Sequence, residues 1–184
     1  CDWSSDVCSS DLLLTRALNF PLTIVAMAEA DEQVNAIRRA IRSRLGVDTI
    51  EVRQSLDTAL RIRRELAQNG TVAMLMDRHM GRDRVRVTLF GRPAWFLRTP
   101  ALLAYLSGAP LVPSFIERVE GRPFAAHVGE PIYVREDLPR DAAIQDAAQR
   151  FADQLAARVE RRPELWYHFY RYWDAQRDVY DGLE

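Results

Sequence analysis

Between Pro21 and Met76, three strand-like runs alternate with two segments of helical spacing, and this order restricts the chain to an α/β layer. The run PLTIVAM (Pro21–Met27) is β-branched and apolar, as a strand of a parallel sheet buried on both faces must be. From about Glu29 to Leu45, the residues Val34, Ile37, Ile41 and Leu45 recur at intervals of 3, 4 and 4. That spacing predicts a helix, with Gly46 ending it as the C′ residue. The segment DTIEV follows as a short strand. Ser55 is a suitable N-cap for a helix carrying Leu56, Ala59, Leu60 and Leu66, which Asn69-Gly70 closes. Thr71–Met76 completes a β-α-β-α-β order as a further buried strand.

The second half is denser. A polar loop, Asp77–Asp83, leads to RVRVTLF, whose period of two predicts a half-exposed strand. FGRPA then turns the chain into the helix LLAYL. Leu111–Ile116 reads as an apolar strand, and Phe124–Val128 as one pairing with neighbouring sheet. Beyond a Pro- and charge-rich connection over 131–140, a helix from Asp141 places Ile144, Ala148, Phe151, Leu155 and Val159 on one face. After Pro163 the aromatic segment ELWYHFYRYWD predicts a last helix. The expected fold class is α/β, with a mixed, largely parallel sheet flanked by helices and no linker long enough to divide domains.

The opening stretch CDWSSDVCSSDL departs from the rest, holding both cysteines, four Ser, three Asp and no Arg. It resembles translated sequencing adapter, so residues 1–12 are read as a non-native scar and set aside. Without it the chain has no cysteine, which removes disulfides, thiol nucleophiles and Cys-ligated metals from consideration. The remainder holds 25 basic residues, all Arg, against 23 acidic ones. So slight a balance gives no global field for a polyanion.

His79, His127 and His168 lie far apart without metal-ligand spacing. No G-x-S-x-G, G-x-G-x-x-G or G-x-x-x-x-G-K-[ST] occurs. Neither a metal nor a cofactor is expected. The uncharged stretch Thr99–Ile116 is broken by Pro100, Gly108, Pro110 and Pro113, so it reads as a short helix and a strand, not a membrane span.

Two patches are unusual. Residues 77–98 hold six arginines (Arg78, Arg82, Arg84, Arg86, Arg92, Arg98) against Asp77 and Asp83. The patch follows a buried strand, where α/β folds place ligand loops. It reads either as an anion site or as a solvated hairpin with Arg84 and Arg86 facing water; Trp95 and Phe96 add the apolar surface an amphiphile needs. The second patch is aromatic: Trp166, Tyr167, Phe169, Tyr170, Tyr172 and Trp173 either cap the core or meet a membrane interface.

In these places the sequence resembles the bacterial lipid A biosynthesis (lauroyl/myristoyl) acyltransferases, a branch of the lysophospholipid acyltransferase superfamily. The family's strand ending in Asp corresponds to Met74–Asp77, and its V-x-F-F-G-x-x-A to Val87–Ala94. Its G-A-P-V-V-P-x-F-x-x-R corresponds to Gly108–Arg118. Its aromatic ending is matched at Pro163, Glu164, Trp166, Arg171 and Trp173, while Tyr170 stands where the family usually has His. The segment RSRLG around Arg44 is similar to an Arg-containing block of the family.

The resemblance implies a glycerolipid acyltransferase-like fold, of which residues 13–184 are the C-terminal part of a single domain. It implies acyl transfer from acyl carrier protein or acyl-CoA to a hydroxyl of an anionic glycolipid, at the cytoplasmic face of the bacterial inner membrane. The family's catalytic motif is H-x-x-x-x-[DE], in which His removes the acceptor's proton and the carboxylate orients it. Here the fifth residue after each His is Arg84, Ile132 or Trp173. The motif and any anchor are therefore expected upstream of Leu13, and the chain itself is expected to be inactive. His79 with Asp83 is a weak substitute. By resemblance Asp77 and Arg44 position polar head groups, while Arg78, Arg82, Arg98 and Arg118 hold phosphates. Two alternatives stay open: an acyltransferase for another lipid acceptor (phospholipid, ornithine lipid or pigment), and a non-catalytic module binding anionic lipid or nucleic acid. No nucleic-acid motif supports the last.

Overall fold

Strand β1 (Thr23–Met27) is buried from Thr23 through Ala26, so both faces are covered, as its unbroken apolar run requires. It belongs to a computed structural model that describes residues 21–27, 31–52, 56–79, 81–119, 121–166, 168 and 171–175. The chain divides into two compact units. One comprises residues 1–75 with 118–126, the other residues 76–117 with 127–184.

In the first unit, β1 pairs in parallel with β2 (Asp48–Val52), from Thr23↔Asp48 to Met27↔Val52. On its other side it pairs in parallel with β3 (Val72–Ala73), giving the order β2-β1-β3. The connections are helices α1 (Glu32–Arg44) and α2 (Leu56–Ala67). Asp31 starts α1 by accepting from the Gln33 N–H at 2.8 Å. Gly46, at φ 71°, takes the left-handed conformation that ends it. Past α2 the Gly70 N–H donates to the Glu65 carbonyl at 2.8 Å, and a Cβ there would meet that same oxygen at 2.8 Å. Ser55, the expected cap of α2, lies outside the described residues.

One expectation for this unit needs correction, and one helix faces unexpectedly. The strand read over Thr71–Met76 pairs only at Val72–Ala73. Beyond it, the Met76 carbonyl accepts from the Leu97 N–H at 2.9 Å, so the backbone there is engaged outside that sheet. The apolar spacing of α1 does not mark its buried side: Asn35 and Arg42 are buried, whereas Val34, Ile37 and Ile41 are exposed. Arg39 donates to Glu51 of β2 at 3.0 Å, which turns the polar side of the helix to the sheet.

The second unit is built on a hairpin. β4 (Val85–Leu89) alternates buried and exposed along its length, as its period of two predicts. It pairs antiparallel with β5 (Arg92–Phe96) in the register Leu89↔Arg92 to Val85↔Phe96. Phe90 and Gly91, at φ 51° and 73°, supply the two left-handed residues of a type I′ turn. The expected turn of FGRPA directly into the helix LLAYL is corrected, because β5 intervenes before a helix that does include LLAYL. Pro93 sits opposite Thr88, whose own N–H and C=O point away from β5, so no hydrogen bond is missing at the proline.

Helix α3 (Thr99–Ser107) and helix α4 (Arg140–Arg161) complete this unit's core. Ala143, Ile144, Ala147, Ala148, Ala152, Leu155 and Val159 of α4 pack with Val85, Val87, Leu89, Ala94 and Phe96 of the hairpin. Small alanines let the long helix approach closely. The β4 edge facing it is closed by amides: Gln149 accepts from Thr88 N–H at 2.8 Å and returns a bond to its carbonyl at 2.9 Å. One turn earlier, Gln145 donates to the Arg86 carbonyl.

The strand expected over Leu111–Ile116 is interrupted, because Pro113 offers no N–H. Leu111 forms an isolated bridge with Ile132, with N···O distances of 2.9 and 2.7 Å, and β6 runs over Ser114–Val119. β6 and β7 (Arg122–Val128) form a two-stranded sheet. The expected last helix is also corrected: a 3-10 turn at Pro163–Leu165 leads to an extended Trp166, and among the described residues after it the α-helical ones are Tyr172–Ala175 (α5). Apart from these local differences, the architecture is the mixed α/β fold expected from the sequence.

Candidate functional site

Asp77 follows Met76 directly, at the start of the Arg-rich patch, and the aromatic segment closes over it. Trp166 donates its indole N–H to Asp77 Oδ2 at 3.0 Å, and His168 Nε2 lies 3.0 Å from the same oxygen. Tyr172 donates its hydroxyl to the Asp77 carbonyl at 2.9 Å. The carboxylate side chain keeps 21% of its surface exposed, the imidazole only 7%.

These contacts explain why Trp166 leaves the helical path. Trp166 and His168 are two positions apart and must reach one oxygen, whereas a helix turns such neighbours apart; the His168 N–H instead donates to the Trp166 carbonyl at 2.8 Å. Ring packing then fills the space, with Trp166 and His168 centroids 4.4 Å apart, edge to face, and Tyr172 within 5.0 Å of both. Phe90 and Trp173 extend the cluster, and Arg92 lies over the Trp173 ring at 4.5 Å.

The other imidazole nitrogen is also engaged. Arg78 Nη2 stands 3.1 Å from His168 Nδ1. A guanidinium only donates, so Nδ1 accepts, and the proton resides on Nε2, where it is donated to Asp77. With both ring nitrogens committed, His168 is not available as a general base in this arrangement. It acts as a brace between the two adjacent charged side chains. Burial raises the Asp77 pKa, but the hydrogen bond and electrostatic attraction of His168, the hydrogen bond from Trp166 and the charge of Arg78 outweigh it. The carboxyl is therefore held below its ordinary range and stays ionised.

The remaining sequence candidates are dispersed. Arg82 is exposed on the turn after Gly81. Arg98 precedes α3 and pairs with Asp141 at 2.8 Å, at the start of α4. Arg44 is exposed in the last turn of α1, in the first unit. Arg118 belongs to β6, and its side chain lies outside the described residues. Of the six candidates, only Asp77 and Arg78 are seen gathered in one network.

The His79–Asp83 substitute does not form a couple. Asp83 spends both carboxylate oxygens on Thr99, accepting from its N–H at 3.0 Å and from its hydroxyl, and so caps α3. Burial first, and then the charge of Arg84, push His79 below the usual imidazole value, against a backbone hydrogen bond with Trp95. Arg84 itself is stacked on the Trp95 ring at 4.6 Å. Sequence reasoning missed His168, whose only local signal is its two-residue offset from Trp166.

Among the described residues no three His, Cys, Asp or Glu gather to hold a metal ion, and no helix is long and apolar enough to cross a membrane. What the site offers is a fixed carboxylate beside a fixed guanidinium, suited to holding a polar or anionic group and not to moving protons. A comparison with protein families matches residues 12–175 to the one described as bacterial lipid A biosynthesis acyltransferase. A comparison with curated proteins finds no match.

Proposed function

The chain belongs to the bacterial lipid A biosynthesis acyltransferase family, an acyltransferase family, and from that premise we propose the acceptor, the donor and the place of the reaction. The acceptor is a hydroxyl of a lipid A-type glycolipid precursor. The donor is an acyl thioester of acyl carrier protein or coenzyme A, and the reaction takes place at the cytoplasmic face of the inner membrane. The hydroxyl oxygen attacks the thioester carbonyl, an ester bond forms, the carbon–sulfur bond breaks, and the acceptor's proton passes to a base.

The observation that carries this reading is the Asp77–His168–Arg78 network. A glycolipid head group presents hydroxyls and phosphates. Asp77 accepts hydrogen bonds from the hydroxyls, and Arg78 holds phosphate, at about 1.5–3 kcal/mol for each charge-assisted contact. Arg44, Arg82, Arg98 and Arg118 are further proposed head-group contacts. For Arg98 this requires exchanging Asp141 for the ligand.

The sequence contains no H-x-x-x-x-[DE], so the general base is proposed to lie outside residues 1–184 and this chain alone is proposed not to turn over. The test is acyl transfer from acyl carrier protein or acyl-CoA to a labelled glycolipid precursor. It compares the chain alone with the product of the unbroken gene and with the gene product carrying Asp77→Asn. Turnover in the gene product, a large fall with Asp77→Asn and none in the chain alone is the expected pattern. An inactive gene product with this acceptor sinks the reading. Tyr170 in place of the family's His favours one second reading, the same transfer to another lipid acceptor. Offering phospholipid and ornithine lipid in the same assay separates the two.

A further inference from the structure

Helix α1 carries its apolar stripe outward. Val34, Ile37 and Ile41 are 37%, 61% and 46% exposed, while Asn35 and Arg42 of the same helix are buried. At 3.6 residues per turn these three side chains form one stripe, with Arg38 on one flank and Arg44 on the other. The only acidic residue of α1 is Glu32, in its first turn, where it is bonded to Arg39. The helix itself thus carries no carboxylate along the stripe.

This is the reverse of the usual pattern of a globular helix, which buries its apolar side. An apolar stripe bordered by guanidinium groups matches one environment well, the interface of an anionic bilayer. There the isoleucines enter the boundary of the acyl chains, and the arginine stems lie along apolar surface while their heads reach phosphates. A water-facing surface explains the arginines but not the isoleucines; an apolar protein partner explains the isoleucines but not two flanking cations.

We propose that α1 is a membrane-contact helix, seating Val34, Ile37 and Ile41 in an anionic lipid surface with Arg38 and Arg44 at the headgroup phosphates. The proposal rests on the inner-membrane reading above and names the surface that would make the contact.

The test is co-sedimentation of the full chain with vesicles of phosphatidylcholine alone or with about one-third phosphatidylglycerol. Binding to the anionic vesicles is expected, weakened by salt and much weaker on phosphatidylcholine alone. The double variant Ile37→Glu/Ile41→Glu is expected to bind at least about tenfold less, with an unchanged circular dichroism spectrum. Leu106→Glu, a more exposed apolar position on α3, is expected to bind as the parent does. If the acidic pair perturbs the spectrum, Ile37→Gln/Ile41→Gln is read instead.

The proposal falls if the parent does not bind anionic vesicles, if it binds neutral ones equally well, or if the α1 variant binds unchanged. Self-association that the variant abolishes, without vesicle binding, assigns the stripe to a second copy and overturns it too. Acyl transfer to detergent-dispersed acceptor by the unbroken gene product is a separate readout. Its loss with vesicle binding intact sinks the enzymatic reading alone.

Discussion

His168 donates through Nε2 to Asp77 Oδ2 at 3.0 Å, joining residues 91 positions apart in the chain. Its other nitrogen receives Arg78, so a single imidazole fixes two neighbouring charges of opposite sign. In the head-group role proposed for it, Arg78 is aimed by a side chain that need not itself touch substrate.

Replacing His168 with Phe keeps the ring volume but removes both bonds. The largely buried Asp77 is then left with Trp166 as its side-chain donor, and a loss of about 1–3 kcal/mol in unfolding free energy is expected from urea titration. In the active gene product the same change is expected to raise the KM for the acceptor more than it lowers kcat, because Arg78 loses its aim. An equal fall in kcat with unchanged KM would assign His168 a direct part in the chemistry.

The Asp77 pKa is lowered in the folded state, and this fixes the sign of a pH effect. Its stabilising contribution is fully present above the unfolded carboxylate value of about 3.9, and it is lost as pH falls through the lower folded value. Asp77→Asn should therefore cost more stability at neutral pH than near pH 3, measured by urea unfolding of both proteins at each pH. A difference that does not narrow in acid would mean that the carboxylate's charge contributes nothing.

Asp83 caps α3 from a distance, since Arg98 at the N-cap position makes no capping bond of its own. Asp83→Ala should cost about 1 kcal/mol, within the range for loss of a helix cap, and the cost should appear in thermal unfolding. Asp83→Asn should recover most of it, as an amide oxygen can still accept from the Thr99 N–H. If Asn is no better than Ala, charge and not the cap is what matters.

Gln149 occupies both outward backbone groups of Thr88. Gln149→Ala should destabilise by about 1 kcal/mol and, with the β4 edge opened, promote self-association detectable by light scattering as concentration rises. Wild-type scattering in the variant would show that the edge is protected by something else.

The first three strands and two helices were legible because each signal is local. The run Ile24-Val25-Ala26 can be buried on both sides only in a covered sheet, and Gly46 marks a helix end by conformation alone. The register of β4 was likewise written in its alternation. β5 was not legible because Pro93 is tolerated only where the partner's backbone points away, which depends on Gln149 of a distant helix. The placement of Trp166 and His168 on one oxygen is set by Asp77 and not by their own neighbours. The arginine patch was legible as a cluster in sequence, yet Arg98 pairs with Asp141, 43 positions on, and only Arg78 joins Asp77. The outward stripe of α1 defeated the periodicity argument: spacing identifies a helix and its apolar side, but not which side meets the sheet.

The donors that close over Asp77 arrive 89, 91 and 95 positions after it, from Trp166, His168 and Tyr172. A ribosome making this chain has thus released Asp77 long before any of them exists. Until synthesis passes Tyr172 the carboxylate must stay hydrated, because burying it without partners is too costly. This corner of the molecule is completed last, after the sheet and the hairpin have every residue they need. Messages that end early at the 3′ side would yield chains with the strands in place but the Asp77 network unmade. Such chains, with hydrated and mobile ends, are natural substrates for proteolysis.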